Sequence, residues 1–84
     1  MLKIFAVYDS KAGAFHTPMF MQTTPMAIRA FKAAAMDQGH EFHKFAEDFS
    51  LFELGDYDPL KAEFLTYEAP QNLGLAASFI INED

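Results

Sequence analysis

The chain has 84 residues and a mass of 9.5 kDa, enough for one hydrophobic core, so a single domain over residues 1–84 is expected. Hydrophobic residues at 51% against 21% charged describe a folding chain rather than a disordered one. The lack of cysteine removes any disulfide framework, thiolate metal site or cysteine nucleophile. The net charge of −6 is split along the chain: residues 1–36 sum to +3 and residues 37–84 to −9. No apolar run is long enough to cross a bilayer, and Tyr8-Asp9 interrupts the N-terminus before a signal-peptide core could form.

The first segment, Leu2 to Tyr8, is almost wholly apolar or aromatic, which predicts a central strand buried on both faces. Asp9 to Gly13 supplies turn chemistry. Phe15 to Gln22 is a second extended segment, but Pro18 lacks a donor and demotes it to an edge strand or irregular arm. Pro18-Met19-Phe20-Met21 offers an apolar edge, with core packing the safer assignment for the methionines.

Thr24-Pro25 marks a helix start, with Thr24 capping and Pro25 at the first helical position. The helix is expected to run to about Gln38 and to end at Gly39 in a left-handed cap. Ala27, Ile28, Phe31, Ala34 and Ala35 recur at three- and four-residue steps as its core stripe, with Arg29, Lys32 and Met36 opposite. His40 to Asp48 reads as a connection with room for one helical turn. Phe49 to Tyr57 alternates as a strand, Asp56 to Lys61 turns around Asp58-Pro59, and Glu63 to Glu68 returns. After Pro70 the pattern weakens, leaving Leu73 to Ile81 as a short helix or a last strand.

These elements predict an α+β fold: a small, mostly antiparallel sheet of about four strands covered on one face by a single helix, in the order β-(β)-α-β-β. Because Phe and Tyr fall on both sides of the strands, the second face must meet the C-terminal segment, another subunit or a ligand.

Enzyme chemistry is not expected, because no serine or threonine stands in a nucleophile-elbow or phosphate-loop context. His40, His43 and Glu47 have ligand-like spacing, but they follow a helix-ending glycine and carry no zincin signature, so no metal or cofactor is assigned. Lys3, Lys11, Arg29 and Lys32 form a basic set. Tyr8, Phe15 and Phe20 could stack unpaired bases at about 1–3 kcal/mol each. Four cations imply a salt slope of only about −3 per protomer on single strands, so binding would be weak and would depend on a homo-oligomer.

Ala6-Val7-Tyr8-Asp9-Ser10-Lys11-Ala12, Pro18-Met19-Phe20, Ala27-Ile28-Arg29-Ala30-Phe31 and the run from Glu47 to Asp58 resemble, in order and spacing, the small non-structural protein of gokushovirus-type bacteriophages of the microvirus family. The likeness covers roughly residues 3–58 and fades in the last quarter. It implies a protein made during infection and absent from the mature virion that binds DNA or switches replication from duplex synthesis to single-strand packaging; with the charge segregation, the reading is a host-cytoplasmic protein that binds single-stranded DNA in that switch. The alternative is an acidic adaptor that docks on the phage replication initiator or procapsid and touches no nucleic acid.

Overall fold

Leu2–Asp9 forms β1 and lies inside a five-stranded sheet, in a computed structural model that describes residues 1–80. Ile4, Phe5, Ala6 and Val7 are all buried, so this strand is covered on both faces, as its uninterrupted apolar run requires. One edge of β1 pairs with two short strands, β2 (Ala14–Phe15) and β3 (Met19–Met21). Pro18 lies between them: lacking an N–H, it breaks the arm into two pieces.

The other edge of β1 pairs with β4 (Phe49–Asp58), which pairs in turn with β5 (Glu63–Leu75), giving the order β2-β1-β4-β5 with β3 beside β1. Every pairing is antiparallel. The sheet ends in α3 (Ala76–Phe79), so the segment after Pro70 supplies both a strand continuation and a helix; Ile81 lies outside the described residues. β5 passes beyond the expected Glu68 because the pairing skips from Thr66 to Gln71, which leaves Pro70 out of the ladder.

Thr24–Met36 forms α1 across one sheet face, and Ala27, Phe31 and Ala35 pack there with Phe5, Val7, Phe49, Leu51 and Ala76. Ile28 and Ala34 flank this stripe half-buried, as the 3.6-residue period demands. The helix start differs from expectation: the capping oxygen belongs to Thr23, which accepts from the Met26 N–H at 3.3 Å. The end differs too. Asp37 is the last half-helical residue, and its side chain accepts from the Gly39 N–H at 3.0 Å. Gly39 is absent from the positive-φ glycines, so an aspartate turn stops the helix where a left-handed glycine was expected.

The connection contains one short helix, α2 (Glu41–Lys44). α1, α2 and α3 touch one another, and Ala76 and Phe79 join the same core. Phe79 stands edge-on to Phe31 at 5.9 Å. As far as Ile80, the C-terminal segment therefore lies on the helical side and not over the second sheet face. The shortest dimension, 19 Å, suits one sheet and one helical layer.

Candidate nucleic-acid interface

Side chains alternate along a strand, so the register divides every residue of the sheet between two faces. Phe5 and Val7 of β1 face the helices beside Glu53 and Leu51 of β4. Ile4, Ala6 and Tyr8 consequently face away. On that second face Tyr8 pairs with Phe15, and Ile4 with Phe20. The three rings nominated from the sequence thus share one surface.

Three further rings join them. Tyr8, Phe15 and Phe52 form a triad with centroid separations of 4.9, 5.4 and 6.1 Å. Phe20, Tyr57 and Phe64 form a second, with separations of 4.8, 5.6 and 6.3 Å. All six contacts are tilted or edge-to-face, the arrangement that the ring quadrupole favours. Four residue steps along β1 lead from Ile4 to Tyr8, which puts the triads about 13 Å apart along the strand. Between them Ile4 and Ala6 form a buried floor at 4% and 1% exposure, while Phe15, Phe20 and Phe64 stand 44%, 43% and 60% exposed.

Phe52 and Tyr57 were not foreseen here, because five residues apart on a regular strand means opposite faces. A register shift between Glu53 and Gly55 inserts one residue and returns Tyr57 to the face of Phe52. Gly55 makes this possible. Its φ is +155°, and a Cβ there would stand 2.3 Å from the Leu65 carbonyl oxygen and 2.7 Å from the Thr66 Cα. Only glycine fits so close a backbone approach.

The cations are elsewhere. Lys3 is five residues from Tyr8 on a regular strand, hence on the opposite face, where Asp56 lies 3.2 Å and Glu53 3.9 Å from its ammonium. The hydrogen bond to Asp56, reinforced by both negative charges, holds Lys3 above its ordinary pKa of 10.5 despite some desolvation. Lys11 sits in the turn after β1, in a cleft shared with Asp9, Glu41, Phe45 and Asp48. Arg29 and Lys32 belong to α1, on the far side of the sheet from the rings. Basic residues and rings therefore do not merge into one patch, because α1 packs its apolar stripe on the face opposite the triads. Among positions paired in the register the ring face carries no charged side chain, and alternation along β5 adds one exposed carboxylate to it, Glu68.

On the helical face, Glu53 is 6% exposed and accepts hydrogen bonds from the Thr24 hydroxyl at 2.5 Å and from the Tyr67 hydroxyl. That bond to Glu53, with desolvation and the Glu53 charge behind it, raises the pKa of Tyr67 above its ordinary 10.0. The histidines have local work. His40 Nδ1 accepts from the Phe42 N–H at 3.0 Å, and the His43 ring nitrogen lies 2.9 Å from the Ala35 carbonyl oxygen. Among the described residues, no group of three or more His, Asp or Glu is placed to hold a metal ion, and no helix is long and apolar enough to cross a membrane.

A family model described as Phage ORF5 protein matches residues 2–79, nearly the whole chain. No curated protein and no solved structure matches it.

Proposed function

This chain belongs to the Phage ORF5 protein family, and on that premise we propose that it binds single-stranded DNA by stacking unpaired bases on its ring face. It would do so as a non-enzymatic, non-structural protein of the gokushovirus type, working in the host cytoplasm where genome replication gives way to single-strand packaging. The observation behind this is the convergence of Tyr8, Phe15 and Phe20 with Phe52, Tyr57 and Phe64 on the sheet face opposite the helices. A sheet with helices behind and rings in front is a known way to hold splayed bases. Each stacked base contributes about 1–3 kcal/mol, whatever its identity.

The placement of the cations alters the expected mode. With Lys3, Lys11, Arg29 and Lys32 all away from the ring triads, few phosphates are neutralised and few counterions released, so the salt slope falls well short of −3. Duplex DNA offers no unstacked base and binds poorly. Fluorescence anisotropy of a labelled oligothymidylate, titrated at low and moderate salt, tests this. Saturable binding should be nearly salt-independent, weaken roughly tenfold or more in Phe15→Ser with Phe20→Ser, and survive Arg29→Glu with Lys32→Glu. Absence of binding at low salt overturns it.

One observation favours the adaptor instead: a net charge of −6, with none of Lys3, Lys11, Arg29 and Lys32 beside the ring triads, suits a protein surface better than a polyanion. In that case the ring variants lose binding to the purified replication initiator or procapsid while the oligonucleotide titration stays flat.

A further inference from the structure

We propose that the free edge of β5 is a docking site for an extended, basic segment of another protein, which adds to the sheet as a further strand. β5 pairs with β4 on one side and, among the described residues, with no strand on the other, so it forms one border of the sheet. From Glu63 to Ala69 it is exposed apart from Tyr67, and no backbone–backbone hydrogen bond joins this stretch to anything but β4. Alternate residues of an antiparallel strand turn both N–H and C=O to the same side, so about half of the groups from Glu63 to Glu68 face the open border. Sheets usually blunt such borders with proline, lysine or a bulge. Here the bulge follows Thr66 and Pro70 comes later still, which leaves an extended edge from Glu63 to Glu68, about 20 Å long, the length of an ordinary strand.

Charge selects the occupant. Glu63 stands directly opposite Asp58 in the register, a pairing of like charges that costs stability rather than adding to it. The ion pairs are those of Lys3 with Glu53 and Asp56, so among the described residues Asp58, Glu63 and Glu68 are left without a cation. Glu63 lies on the helical face and Glu68 on the ring face, one at each end of the edge. A strand laid along β5 in either direction therefore meets a carboxylate at both ends, and a cation opposite Glu63 relieves its conflict with Asp58.

Between these ends the added strand meets Phe64 and Thr66 on one face and Leu65 and Tyr67 on the other. Phe64 and Leu65 are 60% and 42% exposed, so apolar or β-branched side chains opposite them would cover surface that is now wet. Main-chain bonds then supply affinity, and the terminal cations and central apolar residues supply selectivity. A second copy of β5 is a poor occupant, because its edge carries the same acids. The site is the border of the sheet rather than the ring triads, and it stands whether or not DNA is bound.

Fluorescence anisotropy of a labelled peptide, Arg-Val-Thr-Ile-Tyr-Arg, titrated with the full chain tests the site. Binding should be saturable and weaken roughly tenfold or more when both arginines become glutamate. Glu63→Lys with Glu68→Lys, both at exposed positions, should reverse that preference. Two versions of the peptide N-methylated at alternate amides probe the main chain. One row of N–H groups faces β5 and the other faces solvent, so one version should bind and the other lose roughly tenfold or more. Phe15→Ser, in β2 at the opposite border, should leave binding unchanged. No binding by the wild type, a charge preference that does not reverse, or equal behaviour of the two methylated peptides overturns the proposal. Loss of binding in Phe15→Ser does so too, by moving the peptide to the ring face.

Discussion

Tyr67 of β5 donates its hydroxyl hydrogen to Glu53 of β4, a buried carboxylate on the helical face of the sheet. Glu53 also receives the Thr24 hydroxyl and has the Lys3 ammonium 3.9 Å away, so one carboxylate ties α1, β1 and β5 together. Tyr67→Phe removes one of its donors and should destabilise the fold by about 1–2 kcal/mol. Glu53→Ala strips a partner from both hydroxyls and from Lys3, and should cost about 3 kcal/mol. Urea unfolding of the two variants measures both, and equal costs would contradict the shared role.

Two groups at this junction make stability fall in alkali. Lys3 and Tyr67 both have folded-state pKa values raised above 10.5 and 10.0, so their protonated forms are favoured in the fold. Their contribution is fully present below about pH 10 and is lost as pH climbs through the folded values. Melting temperature should therefore hold steady to about pH 9 and drop above about pH 10. Tyr67→Phe should flatten the decline.

Gly55 cannot be replaced without moving backbone. Gly55→Ala should destabilise the protein by about 3 kcal/mol or more, because the new methyl collides with Leu65 and Thr66 and the φ is one that only glycine adopts freely. A melting curve like that of the wild type would show that the bulge relaxes, and with it the placement of Tyr57.

Adjacent threonines have separable duties. Thr23→Ala should cost about 1 kcal/mol through the lost helix cap, and the loss should be largely restored by Thr23→Asp. Thr24→Asp should not recover Thr24→Ala, since it would set a second carboxylate against Glu53. Thermal denaturation of the four variants distinguishes cap from buried partner.

Much of this architecture is legible in the residues. The apolar run of Leu2 to Tyr8 can only be a strand covered twice, and Ala27, Phe31 and Ala35 recur at the helical step. The helix ends depend on which of two threonines and which of Asp37 and Gly39 wins a local hydrogen bond, and composition does not decide that. For the site, strand parity alone separates Lys3 from Tyr8, so the division of cations from rings was available from counting. The opposite holds for Tyr57. Its company with Phe52 depends on a one-residue bulge, and an isolated glycine in a strand hints at such an irregularity without fixing the side to which the chain returns.

Every charged residue paired in the register lies on the helical side, which makes the two faces of the sheet electrically unequal. A positively charged resin would therefore meet most of the carboxylates away from the two ring triads and leave much of the aromatic surface open on the bound protein.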